Sequence, residues 1–207
     1  MLKYSPMSSI AYQIGKSLYL NITNRCTSKC TFCIRYKTKL FNSENKLWLK
    51  KEPTSKEVLK AIGDPAKYKE VVFCGYGEPL IRLDAVIEVS EWLKGKGARV
   101  RIDTNGHANL IHKRNIVPEL EGLVDSISIS LNAQNKKAYN EVCRPDFGEN
   151  AFDAIIEFAK ECKKYIPEVE LTVVGIPQID VKAAKKIADD LGVPFRVRTY
   201  YEQDYIR

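Results

Sequence analysis

Apolar positions along the chain alternate between two patterns. Short runs are nearly continuous or have a two-residue period, and longer stretches repeat every three to four residues. The short β-rich runs are Ser17 to Ile22, Val71 to Cys74, Ala98 to Thr104, Ser126 to Leu131, Glu170 to Val174 and Phe195 to Val197. Several are dense in Val, Ile and Leu, as expected for strands buried on both faces. Helical stretches lie between them. Thr54-Ser55-Lys56-Glu57 has the form of a capping box and opens a helix that ends near Gly63. Asp84 is a candidate cap for a helix carrying Val86, Val89 and Leu93, stopped at Gly95. Asn109 to Leu120 and Lys136 to Val142 are shorter candidates. Asn150 is a candidate cap for Ala151 to Tyr165, and Asp180 for Val181 to Leu191, with Gly192 at the C-terminal stop.

Strands alternating with helices predict an α/β fold with a parallel sheet and right-handed crossovers. A closed eight-unit barrel needs about 250 residues. The 207 residues here, with six strand–helix units, predict an open partial TIM barrel, roughly (β/α)6. Neither an internal repeat nor a flexible linker divides the chain. It reads as one domain over 1–207 with a short N-terminal extension, 1–16. In such folds the functional residues lie on loops after the C-terminal ends of strands.

Composition narrows the class. The chain is 44% hydrophobic, enough for a real core, and lacks a leader-like apolar run near its start. No stretch reaches the roughly 18 apolar residues of a membrane helix. A soluble, cytoplasmic protein is expected. Subtracting 26 acidic from 33 basic residues gives a net charge of +7, which suits either anionic partners or a solvated Lys-rich surface.

Cysteine placement carries the chemistry. Of six cysteines, Cys26, Cys30 and Cys33 crowd into one C-x3-C-x2-C loop directly after the first strand. Thiolates are soft ligands suited to iron–sulfur clusters and zinc. A structural zinc site wants four ligands, often in C-x2-C pairs. A second close pair is missing, and the only histidines are His107 and His112. A cubane cluster held by three cysteines leaves one iron open, as catalytic metal sites do. Cys74, Cys143 and Cys162 are scattered, which predicts a single cluster.

The C-x3-C-x-aromatic-C loop resembles that of the radical S-adenosylmethionine superfamily, and four further strand ends extend the resemblance. By that resemblance Cys26, Cys30 and Cys33 hold a 4Fe-4S cluster, and Phe32 packs near the adenine of S-adenosylmethionine. Gly75-Tyr76-Gly77-Glu78-Pro79 is similar to the family's GGEP motif at the cofactor's amino group, with Tyr76 separating the glycines. Two glycines there also let backbone approach a ligand. Asp103-Thr104-Asn105-Gly106 resembles the family's DTNG turn, which implies that Asp103, Thr104 and Asn105 serve the methionine moiety. Ser130 and Asn132 resemble the family's SLD strand and would reach the methionine carboxylate or the ribose. Arg144 suits a carboxylate. Ile176 lies in the loop that the family places at the adenine. Shortness, GYGEP and DTNG together are most similar to the small TatD-linked radical proteins.

The resemblance implies reductive cleavage of S-adenosylmethionine to a 5′-deoxyadenosyl radical, an oxidoreductase or lyase chemistry. It also implies an electron donor such as ferredoxin or flavodoxin. Three functions stay open: a radical enzyme acting on a small molecule, an activase or modifier of a protein or peptide, and a zinc- or cluster-containing nucleic-acid-binding module. The short barrel leaves one side uncovered, for a macromolecular substrate or a second subunit in a homodimer. The Lys-rich insert Lys37 to Lys51, with Phe41 and Trp48, reads as a lid, a partner surface or a solvated loop.

Overall fold

The computed structural model describes residues 10–37 and 46–200. Seven strands form one sheet in sequence order: β1 (Ala11–Ile14), β2 (Ser17–Leu20), β3 (Glu70–Phe73), β4 (Val100–Thr104), β5 (Ser126–Ser130), β6 (Glu168–Val174) and β7 (Phe195–Arg198). The strands from β2 to β7 pair parallel, and β1 pairs antiparallel with β2. The helices are α1 (Ser55–Ile62), α2 (Leu83–Gly95), α3 (Ala108–His112), α4 (Lys136–Cys143), α5 (Asn150–Tyr165) and α6 (Val181–Leu191). The architecture is the expected open α/β sheet. The extra strand β1 lies inside the segment read as an extension. It joins β2 through a tight turn at Gly15-Lys16, and it supplies the pairing that β2 would otherwise lack at the sheet margin.

The two faces of the sheet differ. Leu18, Leu20, Val71, Phe73, Val100, Ile102, Ile127, Ile129, Leu171 and Val173 alternate toward the helices and form the main core. There α5 buries Ile155, Phe158, Ala159 and Cys162. The intervening positions, among them Tyr19, Arg101, Asp103, Ser128, Ser130 and Glu170, occupy the inner face. The expectation of strands apolar on both faces is thus corrected. The Ser-Ile-Ser-Ile-Ser strand β5 divides its serines and isoleucines between a polar and an apolar side.

Helix ends follow local chemistry. Thr54 Oγ1 accepts from the Glu57 N–H (3.2 Å) while the Glu57 carboxylate accepts from the Thr54 N–H (2.8 Å), the expected capping box. Asp180 caps α6 through the Ala183 N–H (3.0 Å), and Gly192 closes it in left-handed conformation. Two expected caps are corrected. Asp84 lies inside the first turn of α2, and Asn150 is the first residue of α5, preceded by Glu149. The stretch Asn109 to Leu120 is not one helix. Left-handed Lys113 ends α3, and a separate 3-10 turn, Val117–Leu120, follows. None of the described helices is long and apolar enough to cross a membrane.

Ile129 is fully buried at the centre of the helix-facing side. Ile129→Ala is expected to cost about 2–5 kcal/mol, measured as a lowered urea midpoint with unchanged slope.

Candidate functional site

The cysteine loop leaves β2 through Asn21 to Asn24 and is bound on two sides. On one side the Lys29 N–H donates to Cys143 O (2.9 Å), Thr31 N–H to Val142 O (2.8 Å) and Asp146 N–H to Thr27 O (2.9 Å). The end of α4 thus forms a backbone ledge under the loop. On the other side lies the turn after β3. The Glu78 N–H donates to Arg25 O (2.8 Å). A Cβ on Gly77 would fall 2.4 Å from Thr23 O and 2.5 Å from Arg25 O. One on Gly75 would fall 2.1 Å from Asn21 Oδ1. Both glycines therefore press against this chain's own loop, which refines the reading that they open space for a ligand. Tyr76 N–H donates to Asn21 Oδ1 (3.2 Å), and the Arg35 guanidinium bridges Asn24 O, Ser28 O and Tyr76 O at 3.0, 3.3 and 3.4 Å.

Glu78 is buried, and its carboxylate accepts from the Leu80 N–H (3.0 Å), Thr104 Oγ1 (2.8 Å) and the Asn105 N–H (2.7 Å). Burial pushes its carboxyl up to about 7 against the pull of these donors. Pro79 is buried and opens the 3-10 turn Pro79–Arg82. Asn105 Nδ2 donates to Thr27 Oγ1 (3.0 Å) and lies 3.8 Å from Cys26 Sγ. Thr27 Oγ1 also meets His107 Nδ1 (2.9 Å), and His107 Nε2 meets Tyr139 OH (3.0 Å). Both partners of the imidazole are hydroxyls, which can donate or accept, so either neutral tautomer of His107 satisfies the two contacts. His107 is fully buried, and burial lowers its pKa to about 4, which keeps it neutral.

Cys26, Cys30 and Cys33 are free and half-buried. Burial pushes the Cys26 thiol up to about 12 and raises Cys33. Cys30 is raised by a hydrogen bond with Cys143 and by burial. A bound metal would displace these protons outright. Among the described residues no three acidic, His or Cys side chains converge as a ligand set for one metal ion. A cubane does not require such convergence, because each of its irons takes its own thiolate. Three thiols on one anchored loop fit that group.

The remaining expected residues divide. Phe32 packs half-buried against the core, and Ile176 is buried. Asp103 lies on the inner face 3.1 Å from Arg101 Nη1. Its carboxylate is hydrogen-bonded by Cys74, a half-buried neighbour of this polar group. Ser130 Oγ and Asn132 Oδ1 accept from Arg198 Nη2, at 3.2 and 2.7 Å. Arg144 is exposed at the left-handed end of α4, where its carbonyl accepts from the Lys29 N–H (3.3 Å) of the cysteine loop. Of the Lys37 to Lys51 insert, 38–45, with Phe41, lie outside the described residues. Its return limb is tied down by Asn24, which brackets the Leu49 backbone at 2.7 and 3.1 Å, while Trp48 points outward. Sequence reading missed Thr27, Arg35, His107, Tyr139 and Arg198. Only Arg198 left a signal, the alternation Phe195-Arg196-Val197-Arg198.

Glu78→Gln removes one acceptor oxygen and turns an NH2 toward backbone donors. It is expected to cost about 1–3 kcal/mol, read by urea unfolding at neutral pH. His107 supplies a pH signature. Its folded pKa, about 4, lies below the ordinary value of 6.5, so the unfolded chain binds the proton first as pH falls. The stability this adds is full above pH 6.5, is lost progressively toward pH 4, and amounts to about 3 kcal/mol at most. Urea midpoints across that range should fall more steeply for the native chain than for His107→Gln.

Known proteins resemble this chain in sequence and in fold. A family model described as the radical SAM superfamily matches residues 20–191. A Methanocaldococcus jannaschii protein, named as a candidate glycyl-radical enzyme activating enzyme, is 28% identical over 192 residues, covering 87% of this chain and 73% of its own. Among solved structures, Streptococcus suis SuiB bound to precursor peptide SuiA gives a TM-score of 0.65 at 15% identity, over 96% of this chain and 43% of that one. TYW1 with a lysine-pyruvate adduct bound gives 0.64 at 14% identity, over 90% of this chain and 65% of that one. The chain therefore spans less than two thirds of either solved structure, and the likeness establishes the shared fold. The family match over most of the length also sets aside the nucleic-acid-binding module. This chain belongs to the radical S-adenosylmethionine superfamily, whose enzymes work with a 4Fe-4S cluster and S-adenosylmethionine.

Proposed function

We propose that Cys26, Cys30 and Cys33 hold one 4Fe-4S cluster, that S-adenosylmethionine binds at the adjoining strand ends, and that the enzyme modifies a polypeptide. The single observation that carries the reading is the packing of the three-cysteine loop between the Gly75–Pro79 turn and the end of α4, at the C-terminal edge of the parallel sheet. When bound, the cluster and S-adenosylmethionine supply an electron and a 5′-deoxyadenosyl radical that takes a hydrogen atom from the substrate. The protein's part is positional. Arg35, Gly77 and the ledge at Val142 and Cys143 fix the loop. Asn105 and Thr27 hold its first cysteine. Phe32 and Ile176 offer apolar surface for an adenine, and the backbone of the Gly75–Pro79 turn offers polar groups to the methionine end. An external one-electron donor such as ferredoxin or flavodoxin completes the cycle. A polypeptide target is supported by the name of the activating-enzyme relative and by the precursor peptide bound to SuiB. It also suits the polar inner face of the sheet, which the substrate or a second subunit would cover.

Anaerobic reconstitution should give about four irons per chain, and reductant plus S-adenosylmethionine should release 5′-deoxyadenosine. Cys30→Ala should abolish both. Stoichiometric zinc without iron uptake would overturn the reading. With peptides deuterated at glycine Cα, deuterium should appear in 5′-deoxyadenosine. Transfer only from free small molecules would remove the polypeptide part.

A further inference from the structure

The inner face carries a charged patch that neither the cysteine loop nor the turn after β3 uses. Most of its cations are already neutralised. Arg101 lies 3.1 Å from Asp103 and 3.5 Å from Glu70, and Arg196 forks onto Glu170 at 2.5 and 3.1 Å. Arg198 differs. Its hydrogen bonds go to the neutral oxygens of Ser130 and Asn132, and no carboxylate among the described residues lies within ion-pair distance. Its Nε is buried without a hydrogen-bond partner, as are Arg101 Nε and Asp103 Oδ1. Asp103 Oδ1 has Arg101 at ion-pair distance but not in hydrogen-bonding alignment. Of seven such orphaned buried side-chain atoms among the described residues, these three share one patch. Buried polar groups without partners are rare, and the charge that offsets Arg198 comes chiefly from Asp103, which lies beyond ion-pair distance. Here burial also presses the Arg198 guanidinium toward its neutral form.

The supports of Arg198 are fixed in advance. Asn132 holds left-handed backbone (φ 53°), which Asn tolerates better than most residues, and its N–H is committed to Thr172 O (3.2 Å). The positive charge of Arg198 is felt at both Cys30 and Cys74.

We propose that Arg198 anchors a substrate carboxylate on the inner face, with Asp103 Oδ1, which lacks an aligned donor, accepting from an N–H next to that carboxylate. The ligand class is an N-acyl amino acid or the carboxy-terminal residue of a peptide. A planar guanidinium is suited to forked carboxylate recognition. Calling the ligand a substrate rests on the function proposed above, whereas carboxylate binding does not. The same chemistry could come from the methionine carboxylate of S-adenosylmethionine, so both sources are tested.

The probes are N-acetylglycine and its neutral counterpart N-acetylglycinamide, observed by saturation-transfer NMR on the cluster-free full chain. N-acetylglycine should give a saturable signal and the amide almost none. Arg198→Gln should reduce the N-acetylglycine signal at least tenfold, and Arg198→Lys should restore part of it. Circular dichroism and thermal midpoints check folding, and the Lys variant keeps the test valid if the Gln variant unfolds. Equal binding of acid and amide, absent acid binding, or unchanged binding in both variants would overturn the proposal. In reconstituted protein, S-adenosylmethionine affinity should stay within twofold in Arg198→Lys. A tenfold loss there, with N-acetylglycine binding intact, would assign the anchor to S-adenosylmethionine instead. Carboxylate binding with failed iron uptake would sink the proposed function and leave the anchor standing.

Discussion

The buried carboxylate of Glu78 joins what the rest of the site depends on. It sits at the end of β3 and takes donors from its own turn and from the end of β4, at Thr104 and Asn105. Asn105 passes the restraint to Thr27 and the first cysteine, and Thr27 passes it to His107 and Tyr139. A single desolvated acid thereby couples two strand ends to the cysteine loop. Its cost in desolvation is offset in part by three donors, an arrangement in which removing any member leaves another buried group unsatisfied.

The loop is held mostly by backbone. The α4 ledge, the Arg35 bridges and the contact at Gly77 all act on carbonyls and N–H groups rather than on the cysteine side chains. The thiols themselves take part only through the hydrogen bond of Cys30 with Cys143 and the approach of Asn105 to Cys26 Sγ. On the polar inner face Cys74 hydrogen-bonds Asp103, and Asp103 and Arg198 feel each other's charge.

Much of this was legible in the sequence because the signals were local. Six strands, the capping box at Thr54 and Glu57, the Asp180 cap and the three cysteines each depend on neighbours a few residues away. The hairpin strand β1 escaped because Ala11 to Ile14 is short and partly polar. Asp84 was misread as a cap because a helix start depends on where the preceding 3-10 turn ends. The glycines were recognisable, but what they press against was not. Gly75 meets Asn21 and Gly77 meets Thr23 and Arg25, more than fifty residues earlier in the chain. The His107 relay was hidden for the same reason, since its partners Thr27 and Tyr139 come from distant elements. Arg198 looked like an ordinary charged edge residue until the fold placed it over Ser130 and Asn132.

Strand β5 has a consequence for how this chain can change over time. Its serines face the polar chamber and its isoleucines the core, and both assignments depend on a count of two. Losing or gaining one residue within Ser126–Ser130 would exchange every assignment beyond that point, putting hydroxyls into the oil and methyl groups under Arg198. Loops on either side can lengthen at modest cost, but this strand has no small steps available to it. Its five residues can be substituted one at a time, yet they cannot be recounted.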